Sequence, residues 1–410
     1  MAMIETAPPA TRAGDAAHGL VNLGPARRRF GDYLVNLACE LARLGDPPAD
    51  ALIAETREQG APAQRALRQW RQAGESAPST LPALGAFAAA MERRPDWLDQ
   101  ERVERGADAY RSVGVLWSML ALGPGSLVHT YLNPTSASVL VRTGNLTAMA
   151  RQRVIETGGW LIATILPGGL RPGGAGISHT ADVRLLHARV RAALLARGWD
   201  TAADGMPLNQ LEMSRTWLDF TVVPFDALAR LGLPLSAAEL ADLYHQWQYV
   251  GMLLGVDPRL IELARDQASG RQVLALIDAL LPPPNEDSRQ LTAAMIAAIA
   301  DLSQPMLGRL GRHAHGLSLA LARRIHGRAI AGQLAIPRSP VSAAMPLITL
   351  NNRLRWMWSQ RSPAARRRAL ELATAGFLEV AQRETPPTAY QRHDHAAPAA
   401  DFPQVEEPAP

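Results

Sequence analysis

Lysine is absent from this 410-residue chain, so all 42 of its basic residues are arginines. That removes Schiff-base chemistry, the phosphate-loop lysine and the lysine of a protein kinase. Cysteine is nearly absent too. A lone Cys39 excludes intramolecular disulfides, CxxC zinc clusters, cysteine-ligated iron–sulfur centres and c-type haem attachment. Net charge is only +4, and no basic stripe stands out of the kind a nucleic-acid groove requires. Long hydrophobic runs are lacking as well. The longest stretch free of Asp, Glu and Arg, 112–141, is interrupted by Gly123-Pro124-Gly125 and Asn133-Pro134. It reads as two buried helical pieces and not as a membrane span. The first twenty residues have no charged segment leading into an apolar one. The stretch after Arg27-Arg28-Arg29 is too polar for a twin-arginine signal, so a cytoplasmic location is expected.

What remains is an ordinary globular composition, 47% apolar and 20% charged, on a chain long enough to bury a core without staples. Apolar residues recur at spacings of three and four through most of it, including 49–73, 104–122, 145–166, 181–197, 208–231, 236–254, 306–334 and 363–383. Glycine and proline punctuate these runs. Only 138–142 and 221–223 have a strand-like pattern. The ends, 1–26 and 385–410, are rich in Pro, Ala and acidic residues and read as disordered tails. The expectation is a single all-α domain over 27–384, monomeric or a small homo-oligomer.

One helix is chemically distinctive. Thr180 or Asp182 can cap its start and Gly198 can end it. Val183, Leu186, Val190 and Leu194 share its buried face with His187, and arginines stand at 184, 189 and 191. A neutral imidazole on an apolar face suits axial ligation of a haem iron. Taken alone, a buried histidine bonded to a protein carbonyl is the commoner arrangement. Upstream, Arg153 and Thr157 share one helical face by their i, i+4 spacing. A glycine-rich loop, Leu166-Pro-Gly-Gly-Leu-Arg-Pro-Gly-Gly-Ala-Gly176, then leads into the histidine helix.

This order, Arg153-xxx-Thr157, glycine loop, Arg184-Leu-Leu-His187-Ala-x-Val-Arg191, resembles the latex clearing protein (rubber oxygenase) and mpaB-type oxygenase family. The segments Leu44-Gly-Asp-Pro-Pro-Ala-Asp50, Pro95-Asp-Trp-Leu-Asp99, Pro207-Leu-Asn-Gln-Leu-Glu-Met213 and His245-Gln-Trp agree with it. The resemblance implies an all-helical, globin-like core with additional helices, holding a non-covalent b-type haem. His187 would be the proximal ligand. Arg153 and Thr157 would lie in the pocket, with Arg184 and Arg191 beside the cofactor. The implied reaction uses O2 to cleave the C=C bond of a hydrophobic alkene, such as a polyisoprene, a terpenoid or an aryl alkene, to carbonyl products. Rubber oxygenases often carry a lysine just before the pocket threonine, where this chain has Glu156. Glu156 could serve as a catalytic base if it faces the iron, but adjacent helix positions point about 100° apart.

Other chemistries fit less well. His313, His315 and His326 have no carboxylate at matching spacing and read as part of a solvated, arginine-rich helix. A ferritin-like di-iron site needs Glu-xx-His pairs, and none of the ten histidines has a glutamate three residues before it. Trp356-Met-Trp358 and the aromatic cluster at 244–249 read as core, and Arg366-Arg-Arg368 as a solvated face. The alternative to an oxygenase is a non-catalytic helical haem- or lipid-binding protein on the same fold.

Overall fold

A computed structural model describes residues 18–73, 81–141 and 146–384. Among the described residues it is helical throughout, with no strand. The all-α expectation is borne out. Both strand-like segments are helical: 138–141 falls within Pro134–Val141, and Thr221 precedes the helix Val222–Arg230. Position 142 lies outside the described residues. Alternation over four or five residues cannot outweigh helical neighbours that bury the same side chains. The ordered chain begins before residue 27, because Leu20 and Ala26 are buried in the core and a helix spans Leu23–Phe30. The periodic run at 49–73 is two helices, Pro47–Gln59 and Ala61–Ala73, divided at Gly60, whose φ of 64° a side chain would resist.

The most extensive helix–helix packing joins Gln100–Arg111 to Ala237–Leu253. Gly106 permits it, since a Cβ there would stand 2.6 Å from the carbonyl of Asp242. The upstream segment at 95–99 is explained by the same contact: the Asp99 N–H donates to His245 Nε2 at 3.0 Å, and Trp97 meets the His245 ring edge-on. Trp217, Trp247, Tyr110, Tyr131, Tyr244 and Tyr249 are fully buried, in keeping with the core reading of 244–249.

The stretch from Val115 to Thr130 is not broken at Gly123-Pro124-Gly125. It passes through a π-helical turn, Leu122–Leu127. The wider i→i+5 register absorbs the proline, which has no N–H to give. Asn133-Pro134 does end the run, and a new helix begins at Pro134.

Two helices carry the expected site: the arginine helix, Leu146–Ile165, and the histidine helix, Ala175–Ala196. The glycine-rich loop folds onto the end of the first. Gly176, for example, lies so close that a Cβ would stand 2.7 Å from the Gly169 carbonyl and 2.8 Å from that of Ala163. The histidine helix therefore starts at Ala175, about two turns earlier than Thr180 or Asp182 would have set it. Thr180 is spent differently: its Oγ accepts from Trp160 Nε1 at 3.0 Å and donates to the Gly176 carbonyl at 2.6 Å. The far end is as expected, with Gly198 at φ 81° just past the last turn.

Candidate active site

The Trp160–Thr180 bond sets the register of the two helices, which run back against each other after the loop. Two turns back along the arginine helix and two turns forward along the histidine helix lead to Arg153 and His187. The electrostatics agree with that placement. Burial pushes the His187 imidazole down to about 4, with the positive charges of Arg191 and Arg153 adding to the effect and Asp46 opposing it. The ring is neutral at physiological pH, the form a metal ligand must have. His187 Nδ1 is buried with no hydrogen-bond partner, so the protein carbonyl that commonly holds a core histidine is missing.

Two further side chains bear on this place: the Arg153 charge acts on both His187 and Tyr131. Arg153 makes no hydrogen bond or ion pair among the described residues. Tyr131, on the turn after the π-helical segment, is buried with its hydroxyl unpartnered. Desolvation raises that phenol, and the nearby Arg153 charge works against the rise. An unmade hydrogen bond on a buried polar atom costs about 1–3 kcal/mol. His187 Nδ1 and the Tyr131 hydroxyl are two such atoms, and with the half-buried Arg153, whose charge acts on both, they suit a further group. A neutral imidazole, an unpaired guanidinium and a phenol suit one that offers a metal to the first and carboxylates to the others. The residues present therefore fit a haem b. Tyr131 was missed in the sequence because no spacing rule links it to a helix twenty residues away.

Arg184 and Arg191, expected beside the cofactor, are occupied elsewhere. The Arg184 guanidinium grips Asp46 through two bonds of 2.5 and 2.8 Å and donates to the Leu253 carbonyl at 3.3 Å. Arg191 pairs with Asp50 and donates to the carbonyls of Pro207 and Leu208 at 3.1 and 2.7 Å. Both side chains are buried, and a buried guanidinium needs an oxygen on each donor edge. The segments at 44–50 and 207–213 thus act as the sockets for these two arginines. Gln210 ties the same segments together, donating to the carbonyls of Gly45 and Gly255 at 2.8 and 2.9 Å.

Thr157 stands one turn beyond Arg153 and lines an apolar cavity of ≈ 110 Å³. Its walls come from the other side of the arginine helix (Val154, Gly158, Leu161), the π-helical turn (Leu122, Gly123), Phe220, Ile299 and the C-terminal helix (Phe377, Val380). No charged side chain lines it. Thr157 is thus the one predicted residue that belongs to both the Arg153 face and the cavity. Glu156 is not brought in: its carboxylate accepts from Gln152 at 2.8 Å on the outer side of the helix, and it is not among the cavity-lining residues.

The other histidines do not assemble. His326 Nε2 donates to the Pro124 carbonyl at 2.8 Å, and its ring stacks on His129. His313 instead accepts from Arg312. Among the described residues, no group of three or more His, Cys, Asp or Glu side chains could hold a metal ion. His129 sits in a buried network with Asp219 (2.7 Å), Asp278 (3.4 Å) and Arg215. Burial alone would depress His129, but the Asp278 and Asp219 carboxylates outweigh it and raise the imidazole to about 9.

Comparison with known proteins shows the family. A family model described as "ER-bound oxygenase mpaB/B′/Rubber oxygenase, catalytic domain" matches residues 110–379. A rubber oxygenase of Streptomyces sp. (strain K30) is 26% identical over 284 residues, covering 66% of this chain and 68% of that protein. The structure of a latex clearing protein in its closed state superimposes with a TM-score of 0.61 at 19% identity, over 82% of this chain and 91% of that one. At that identity the superposition speaks for the fold alone.

Proposed function

The chain belongs to the mpaB/rubber oxygenase catalytic-domain family, an oxygenase family, and from that premise we propose that it is a haem b-dependent oxygenase that cleaves the C=C bond of a small hydrophobic alkene to two carbonyls. The observation that carries the haem is His187: a half-buried imidazole pushed down to about 4 whose enclosed Nδ1 has no hydrogen-bond partner, within reach of the Arg153 charge, which also acts on an unpartnered Tyr131 hydroxyl. When bound, haem would supply an iron that activates O2. Cleavage by O2 puts one oxygen atom on each former alkene carbon, so the stoichiometry balances without an external reductant.

The chain's own residues hold and shape the site. His187 would hold the iron through a ring nitrogen in its neutral form. Arg153 and Tyr131 would hold the carboxylates of the haem, the guanidinium by charge and the phenol by donating a hydrogen bond. The cavity holds the apolar part of the substrate and excludes water, and Thr157 offers its hydroxyl at the boundary between the two. Because the cavity contains no charge and little volume, it favours a compact, uncharged alkene over an extended chain. Glu156, turned towards Gln152, has no part in this reading. Nor do Arg184 and Arg191, which hold the histidine helix in place.

The test is the absorption spectrum and pyridine haemochrome content of the purified protein beside His187→Ala, followed by carbonyl trapping after aerobic incubation with styrene and with a short terpenoid. Stoichiometric b-type haem that is lost or spectrally altered in the variant, with carbonyl product from the parent, is expected. A protein that stays colourless after haem supplementation overturns the cofactor. Haem without carbonyl product from any alkene would make the protein a carrier. A cytoplasmic location remains part of this proposal, since a diffusible substrate needs no secretion.

A further inference from the structure

The balanced net charge of the chain hides a lopsided distribution. Residues 302–370 contain twelve of the 42 arginines and none of the 38 acidic residues. In the middle of this stretch lies a helix, Met345–Gln360, which also has no acidic residue. Its buried side is ordinary: Met345, Asn352 and Trp356 face the protein. Its outer side is not. Leu347, Leu350, Leu354, Met357 and Trp358 are 50–71% exposed. At about 100° per residue they fall within one arc of about 100°, opposite the buried side. Arg353 and Arg355, both exposed, fall on the two flanks of that arc. The structure thus corrects the core reading of Trp356-Met-Trp358, since only Trp356 is buried.

A surface helix normally turns polar residues outward. An outer face of leucine and tryptophan between flanking arginines is the pattern of a helix that lies in a lipid interface. We propose that the face Leu347–Trp358 docks on an anionic membrane surface, with the leucines and Trp358 entering the headgroup boundary and the arginines pairing with lipid phosphates and carboxylates. Charge decides between occupants. A second copy apposing the same face would bring the two sets of flanking arginines, on a helix with no acidic residue of its own, against each other, which is repulsive. A nucleic acid offers negative charge but no apolar layer for the leucines. No single helix among the described residues is long and apolar enough to cross a bilayer, so the contact is peripheral. Leu302 and Met306, which begin the acid-free stretch, also line the apolar cavity.

The experiment is vesicle flotation with the full chain, using phosphatidylcholine alone and phosphatidylcholine with 30% phosphatidylserine. It requires neither haem nor turnover, so it stands or falls apart from the oxygenase reading. Binding is expected to the anionic vesicles and to weaken steeply with salt. The Arg353→Gln/Arg355→Gln variant should partition about fivefold less per arginine removed. The Leu350→Ser/Leu354→Ser/Trp358→Ser variant, altered only at exposed positions, should lose on the order of tenfold or more. No flotation with either vesicle overturns the proposal. So does flotation unchanged by the leucine variant, which would reduce the face to a site for any polyanion. Concentration-dependent dimers of the parent that the leucine variant abolishes, with no flotation, would assign the face to a second copy.

Discussion

Replacing Gly158 by alanine separates helix stability from site function, because the two effects have opposite signs. Gly158 and Gly159 lie in the middle of the arginine helix, and a Cβ at either position would meet no atom within 4 Å. Neither substitution creates a clash. Each removes an interior helical glycine, a gain of about 1 kcal/mol, which in a chain of this size raises Tm by about 1–2 °C. The methyl groups go to different places. Gly158 lines the cavity of ≈ 110 Å³ and Gly159 does not. One methyl group's worth of space in an apolar pocket is worth about 1–3 kcal/mol of discrimination, or about 10–200-fold. Gly158→Ala is therefore expected to raise Tm and lower kcat/KM for an aryl alkene at least tenfold, while Gly159→Ala raises Tm alone. Thermal unfolding, calorimetric binding of ethylbenzene and styrene turnover measure the three quantities. Unchanged binding and turnover in Gly158→Ala, or equal losses in both variants, would refute the assignment of this cavity to the substrate. A lower Tm in both would refute the free space beside the glycines.

Removing one partner of the Arg184–Asp46 pair leaves the other charge buried, so Arg184→Met is expected to cost about 3–5 kcal/mol in urea denaturation. Adding Asp46→Asn to it should recover part of that loss. The raised pKa of His129 predicts a contribution to stability that is complete below about 6.5 and lost as pH rises through about 9. His129→Gln should therefore be less stable than the parent at pH 7 and nearly equal to it at pH 10. Parallel stability curves for the two proteins would show that the Asp219 and Asp278 carboxylates do not hold the ring charged.

Much of the architecture follows from local pattern. The apolar period of three to four placed most of the helices, though not Pro82–Glu92, Pro134–Val141 or Met345–Gln360, and the Arg153–Thr157 spacing put those two on one face of one helix. The same geometry warned that Glu156 points elsewhere, and it does. What stayed hidden depends on long-range pairing. Nothing in the text around Arg184 and Arg191 shows that Asp46 and Asp50, about 140 positions away, claim their guanidiniums. Tyr131 becomes conspicuous only once its hydroxyl is seen to be buried and unbonded. The π-helical turn reads as a break because Gly-Pro-Gly normally stops an α-helix, and only the surrounding packing makes the wider turn the better solution. Periodicity passed over Met345–Gln360, whose apolar residues lie on two opposite arcs and so blur the single-faced spacing; only Trp356-Met-Trp358 stood out, and as core.

The two arginine sockets also bear on how the protein can be divided. Asp46 and Asp50 precede the 110–379 segment that matches the family model, yet they neutralise two buried guanidiniums on the helix that carries His187. A polypeptide starting at 110 would keep Arg184 and Arg191 and lose their counter-charges. The matched segment is therefore not expected to fold by itself. Expressed alone it should be insoluble, and a separately expressed piece spanning 18–109 should rescue it by fragment complementation. A chimera that grafts the matched segment onto a relative's amino-terminal helices would succeed only where those helices bring two carboxylates to the same two sockets.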